Sequence, residues 1–470
     1  MWPFSRKPSA MSSEVAPMTR SERRAAASLA AIFGLRMLGM FLILPVFALY
    51  AQDLPGGDDH ALVGLALGMY GLTQALFMLP FGMASDRWGR KPVIIAGLLL
   101  FALGSFVAAA ADDIYMVILG RALQGAGAIS AAVTALLADL TREEKRTQAM
   151  AMVGSTIGLA FALSLAAGPL FYRWIGVPGI FAMTGVLALL AIVVVKFVTP
   201  NPGLTVFHSD AQTNPRRLGD VLRDGELLRL DFGIFALHAA QMAMFLIVPL
   251  ALSDAGGLPA DAHWQVYLPV LLGSFVFLVP AVIYGEKYGR MKPVFVSAIG
   301  LMFLAQLGFS LFIGHFWAVV ATLLAYFVAF NILEATLPSL VSKVAPAEAK
   351  GTAMGVYNTA QALGLFFGGA VGGWLAKGWG QSAVFVFCAA LIGVWLVLAK
   401  GMRPPLRVKT QMFHVGHLEA AAVQQLAARL SVFAGVESVT VLVDEGVVML
   451  KVSQLGWDEE GVKHVLQGGE

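Results

Sequence analysis

The sequence predicts an all-α membrane protein of twelve helices, arranged as two six-helix bundles and followed by a small α+β domain of ferredoxin-like order. Three observations predict it. Of the 470 residues 58% are hydrophobic and only 13% charged, with a mean hydropathy of +0.76, whereas a soluble domain carries about 25% charged residues. Apolar runs of roughly 20 residues, the length that crosses about 30 Å of hydrocarbon, recur from Ala27 to Ala399. The basic residues, finally, fall in alternate connections between those runs.

The chain opens on a polar segment, 1–27, with Arg6, Lys7, Arg20, Arg23 and Arg24. The apolar stretch after it is too long for a signal-peptide core. Helices are predicted near 28–50, 61–83, 92–111, 114–138, 147–172 and 177–198, giving an N-terminal bundle over 28–198. A polar linker, 199–228, precedes a C-terminal bundle over 229–400, with helices near 229–252, 263–285, 293–313, 316–341, 350–375 and 380–400. The 50 glycines suit helices that approach one another closely in a bilayer. A single cysteine, Cys388, leaves no disulfide framework within the chain and no thiolate metal site. No cofactor and no metal are expected.

With the amino terminus in the cytoplasm, Arg87, Arg90, Lys91, Arg142, Lys145, Arg146, Arg216, Arg217, Lys287, Arg290, Lys292, Lys343 and Lys350 lie inside, and the outside loops hold only Arg173 and Lys377. That asymmetry obeys the positive-inside rule and puts both termini and the linker in the cytoplasm of a bacterial inner membrane. The chain also repeats itself: residues 80–92 read PFGMASDRWGRKP and 280–293 read PAVIYGEKYGRMKP, aligning Asp86 with Glu286, Gly89 with Gly289 and Arg90 with Arg290. Each copy joins the second and third helices of its half, as expected of parallel repeats related by an axis along the membrane normal. After Lys400 soluble composition returns, with strand, helix, two strands and helix predicted over 410–467 and a hairpin turn at Asp444-Glu445-Gly446.

Gly82, Asp86, Arg87, Gly89, Arg90 and Lys91 match the G-x-x-x-D-R-x-G-R-K signature of the major facilitator superfamily, which the whole helical region resembles. Gly120-Arg121 with Gln124-Gly125 resembles the fourth-helix R-x-x-x-G motif of its proton-coupled members. Ser155, Ser164, Gly168 and Pro169 have the spacing of the fifth-helix antiporter motif, with serines for two glycines and Tyr172-Arg173 for the final glycine pair. The first helix, around Phe33 to Phe41, and the α+β tail look most like the YajR-type efflux transporters that end in a YAM domain. The resemblance implies a twelve-helix major facilitator fold and proton-coupled efflux of a small, amphipathic compound by alternating access. It also implies that Asp86 engages the positive amino end of the eleventh helix, near Lys350-Gly351, as a conformational switch, with Glu286 and Arg290 as the second copy. Uptake by symport, or a sensor signalling through the tail, are the alternatives.

Glu334 is the carboxylate placed deep in an apolar run, about 8 Å from the midplane of its helix, and His238 lies at comparable depth on the seventh. Intramembrane ionisable groups are expensive unless paired or protonated, so the two are candidates for proton coupling, against a fixed structural hydrogen bond. Arg36 and Arg121 have no carboxylate at similar depth in their own half. Each either faces a central cavity, in a coupling or substrate-attracting role, or bonds backbone carbonyls. Gln241, Asn331 and Asn358 are pocket candidates, with interhelical bonding as the bland reading. Expected partners are a small-molecule substrate, protons and membrane lipids. No nucleic acid is expected, and the arginine loop lacks the lysine and hydroxyl of a nucleotide-binding loop. The tail is expected to bind a regulator or mediate self-association.

Overall fold

The computed structural model describes residues 17–202, 212, 215–346, 349–403, 408–415, 420–442, 446–453 and 456–466. Most of the amino-terminal segment, much of the linker and the Asp444-Glu445 turn lie outside them. Helix α1 (Arg20–Leu42) starts inside the segment expected to precede the membrane. A capping box starts it there: Thr19 Oγ1 accepts from the Glu22 amide, and Glu22 accepts from the Thr19 amide at 2.7 Å. Pro45 follows its end, and the rest of the first predicted run is the short α2 (Phe47–Ala51). Helices α3 (His60–Trp88) and α4 (Arg90–Ala109) follow. The fourth predicted helix is broken into α5 (Ile114–Ala126) and α6 (Ser130–Asp139). The break falls at Gly127, whose missing Cβ leaves room for the Gly97 carbonyl of α4. The fifth and sixth runs form one 51-residue element, α7 (Glu143–Val193), jointed at Gly176, whose φ of 64° is left-handed backbone that glycine adopts at little cost.

The short α8 (Leu218–Val221) leads into the second half. It comprises α9 (Gly225–Gly256), α10 (Trp264–Lys287), α11 (Met291–Phe312), α12 (Phe316–Val344), α13 (Lys350–Trp379) and α14 (Gln381–Lys400). Ten spans among the described residues are long and apolar enough to cross a membrane. The jointed α7 counts there once but crosses twice, and α13, diluted by glycines and amides, makes the twelfth crossing. The tail contributes β1 (Val408–His414), α15 (Ala420–Ser431), β2 (Val436–Leu442), β3 (Val447–Ser453) and α16 (Glu459–Leu466). Its antiparallel sheet has the order β1-β3-β2, the split arrangement of ferredoxin-like folds, over a core of Leu430, Val448, Leu450, Val452 and Val462.

The start of α1, the end of the first half around Phe197 and Thr199, and the tail gather at one end of the bundle, called here the terminal face. Arg142 bonds Glu22 at 2.8 Å, Arg24 reaches the Phe197 carbonyl at 3.2 Å, and Lys91 reaches the Thr199 carbonyl at 2.5 Å. Lys451 of β3 donates to the carbonyls of Lys343 and Ala345 at 3.1 and 2.8 Å, capping the carboxyl end of α12. At the opposite, far face the two halves meet. Gly64, Gly68 and Gly71 of α3 lie backbone against backbone on α13, where a Cβ would meet the carbonyls of Gly369, Phe366 and Ala362. Two ion pairs cross between halves at this face, Asp59–Lys377 at 2.7 Å and Arg173–Asp261 at 3.8 Å. Lys377 holds the Asp59 carboxyl below the usual carboxylate range, chiefly through its hydrogen bond.

Candidate functional site

Beneath the far-face contact an aromatic cluster closes the centre. Phe161 of α7 packs on Phe41 of α1 and, across the halves, on Phe245, Phe327 and Phe330, with ring centroids 5.0 to 6.4 Å apart. The polar group of the second half sits next to it, His238 lying 6.0 Å from the Phe330 ring. Helix α9 is buried almost throughout, so His238 meets protein on every side. Its Nδ1 lies 3.2 Å from the Ile234 carbonyl, which can only accept, so Nδ1 carries the proton and the neutral ring offers Nε2 as acceptor. The Gln361 side-chain amide donates to it at 2.7 Å. Glu334 Oε2 stands 3.8 Å from the same Nε2, and 37% of the Glu334 side chain is exposed. Among the described residues Oε2 has no hydrogen-bond donor. A second carboxylate lies in the same half: Asp231 is 6% exposed, and its Oδ2 is likewise without a donor.

The first half buries cations. Arg36 and Arg121, 2% and 1% exposed, flank Tyr70, with guanidinium carbons 5.7 and 5.0 Å from its ring centroid. Arg121 donates to Gln124 at 3.0 Å and to the Leu67 carbonyl at 3.4 Å, and Gln124 donates in turn to Ser105. Arg36 donates to Ser130 at 3.4 Å and also lies against Phe101. Backbone, hydroxyl, amide and ring faces thus hold both arginines.

At the terminal face of this half the turn between α3 and α4 is set by Gly89, with φ 90°. Arg90, 3% exposed, bonds Asp86 and Ser85 and, through Nε, reaches Asp139 Oδ2 at 3.1 Å. Asp139 ends the fourth span, and its side chain is wholly buried. The loop is therefore clamped to α6, and Lys91 ties it to the end of α7.

A model of the Major Facilitator Superfamily matches residues 29–268 and 230–450. The chain belongs to the Major Facilitator Superfamily. It is 44% identical to the inner membrane transport protein YajR of Escherichia coli (strain K12) over 93% of this chain and 95% of that one. It is 27% identical to the multidrug resistance protein MdtH of Yersinia enterocolitica over 72% of this chain and 83% of that one. Among solved structures, a bacterial homolog of the human lysosomal transporter Spinster, inward-facing and occupied, superposes with a TM-score of 0.63 at 13% identity, covering 82% of this chain and 97% of that one. This major facilitator protein is thus a multi-pass inner-membrane transporter of small molecules and not an enzyme.

The structure brings His238 to Glu334, Arg36 to Arg121 around Tyr70, and Asp86 to Arg90. Gly82 lets α3 approach Ala131 of α6. Arg87, Glu286 and Arg290 are exposed. Among the described residues Asp86 bonds Arg90, and at the amino end of α13 Gly351 lies against the backbone of Gln212. Of the substrate candidates, Asn331 is spent on an interhelical bond to Ser274 at 2.8 Å, Gln241 is buried in α9, and Asn358 is half-buried on α13. A mostly apolar cleft of about 610 Å³ between α1 and α7, where Gln148, Met152, Ser155 and Thr156 of α7 face alanines of α1, includes none of them. Sequence reasoning missed Asp139 and Asp231 because each sits at the edge of an apolar run, where a carboxylate reads as a loop residue. The seven-residue step from Asp231 to His238, which puts both on one helix face, was the available signal.

Proposed function

We propose that the protein is a proton-coupled exporter of a small amphipathic compound, with the terminal face in the cytoplasm, and that Glu334 and His238 exchange the coupling proton. The observation that carries this reading is the pairing of Nε2 and Oε2 at 3.8 Å with Gln361 as a competing partner. A neutral His238 accepts from Gln361 and leaves Glu334 Oε2 without a donor among the described residues. A protonated ring has no acceptor left for that amide proton and turns its new N–H toward the carboxylate. One proton therefore trades one set of interhelical bonds for another, linking α9 and α13 in one state and α9 and α12 in the other. Such a two-state element is what alternating access requires.

The basic loops of the terminal face support its cytoplasmic placement. The far-face contacts and the half-open Glu334 support a cytoplasm-open conformer, in which Asp86 stands ready to engage α13 when that side closes. The similarity to multidrug resistance proteins supports export. Arg36 and Arg121 would set the positive potential of the first half, Gln241 and Asn358 would line the substrate path, and the tail would bind a regulator or a second copy. The test uses proteoliposomes with ethidium as an amphipathic probe and an imposed pH gradient. Opposed probe and proton fluxes that vanish in Glu334→Gln are expected. Undiminished gradient-driven flux in that variant would overturn the coupling role, parallel fluxes would convert export to symport, and no flux with any amphipathic probe would favour a sensor.

A further inference from the structure

The polar groups of the second half form a ladder rather than a pair. Helices α9 and α13 run in the same direction from the terminal face, and the His238–Gln361 bond fixes their register. Asp231 lies seven residues before His238, about 10 Å closer to the terminal face at 1.5 Å per residue, and Tyr357 lies four residues before Gln361, about 6 Å closer. The spacings of seven and four keep each on the same face as its partner. Tyr357 thus stands at a level between the Glu334–His238 pair and Asp231, within electrostatic reach of both carboxylates. Both new members are buried, and neither the Tyr357 hydroxyl nor Asp231 Oδ2 has a hydrogen-bond partner among the described residues.

Unpartnered hydroxyl and carboxylate atoms this deeply buried are costly as structural features. Helix α12 presents Glu334, with Tyr326 two turns farther toward the far face within electrostatic reach of Glu334 and of Cys388 on α14, and α14 presents the Trp395 ring beside Gly233. The cation nearest along α9, Arg229, is turned away to Glu226 and the Gly401 carbonyl. The described contacts therefore give Asp231 no cation to neutralise it.

We infer that Asp231 is a second proton-binding carboxylate of the transporter, exchanging protons with Glu334 through the Tyr357 hydroxyl. In the relay, with Asp231 ionised and the Tyr357 hydroxyl moved from its unbonded position here into hydrogen-bond contact with both carboxylates, the O–H bond of protonated Glu334 breaks as one forms at Tyr357 Oη. The original Tyr357 O–H breaks as one forms on Asp231, and the tyrosine returns neutral. No oxidant or co-reactant is needed. The inference rests on Glu334 being the coupling carboxylate, and the experiment separates the two.

The readout is the carboxylic-acid C=O stretch in infrared difference spectra of the full chain in nanodiscs, titrated with pH, which needs no substrate. Two acid bands are expected, one lost in Glu334→Gln and the other in Asp231→Asn, with the remaining band shifting its midpoint in each because the sites are coupled. Tyr357→Phe, which removes only an oxygen, should keep both bands and slow proton–deuterium exchange at the buried Asp231 by about tenfold or more. Loss of a band in Glu334→Gln but none in Asp231→Asn would overturn the inference while leaving Glu334 as the coupling site. Unchanged exchange in Tyr357→Phe would overturn the relay. Absence of a Glu334 band would remove the reading on which both stand.

Discussion

The two copies of the repeated loop share a sequence and not a construction. In the first half Arg90 is buried between Asp86 and Asp139, and Lys91 fastens the loop to Thr199, just past α7. In the second, Glu286 and Arg290 are exposed, although Gly289 repeats the left-handed turn of Gly89, with φ values of 64° and 90°. The difference lies outside the repeat: α6 ends on Asp139, whereas the last turns of α12, Leu337 to Val344, contain no carboxylate. A motif is thus only half of a clamp, and the acid that completes it comes from the fourth helix of the same bundle. The interiors diverge in the same way, the first half burying guanidiniums against aromatic faces and the second burying carboxylates beside a histidine.

The sharpest way to break this comparison is to remove the two arginines in turn. Arg90→Ala, which takes the cation from between two carboxylates, should destabilise the protein by about 3 kcal/mol or more, and Arg290→Ala by no more than about 0.5 kcal/mol, both read as thermal unfolding in detergent. Equal effects would make the copies equivalent. The seam between halves comes next. Gly64→Ala should disfavour far-face closure by about 1 to 3 kcal/mol, lengthening distances between spin labels placed across the halves, whereas Gly378→Ala, with nothing near its missing Cβ, should leave them alone.

Loss of the tail cap, by Lys451→Met, should speed amide exchange at Ala345 about tenfold, a change of about 1.4 kcal/mol in local opening. Burial, and secondarily Lys350, holds the Lys451 ammonium below the usual lysine range. Docking of the tail should therefore be constant at neutral pH and strengthen as pH rises from that lowered value toward about 10.4. The smallest effect is expected at Asp59. Because its carboxyl is held low in the closed far face, its contribution is complete above the ordinary value of about 3.9 and is lost as pH falls through the lowered one. Asp59→Asn should abolish that acid dependence of label distances.

Much of the fold was legible. Twelve apolar runs, the repeat and the order of the tail elements follow from hydropathy and spacing, because a membrane forces each crossing to satisfy its own backbone. The breaks at Pro45 and Gly127 were not foreseen: proline is common in membrane helices, and whether a neighbouring carbonyl intrudes at a glycine depends on packing. Glu334 and His238 were legible because a charge in an apolar run has few harmless places to be. Asp231 escaped notice because an acid near the end of a run resembles a loop residue. Asn331 looked as available as Asn358, and only the neighbouring helix reveals that Ser274 has claimed it.

The single glycine at the joint of α7 leaves no slack between two long rods. One rod carries Phe161 into the central plug; the other presents Leu189, Leu190, Val193 and Phe197 outward. A single residue thus joins the rod that faces the surrounding lipid to the rod that fills the aromatic plug, so the two surfaces are linked through one elbow.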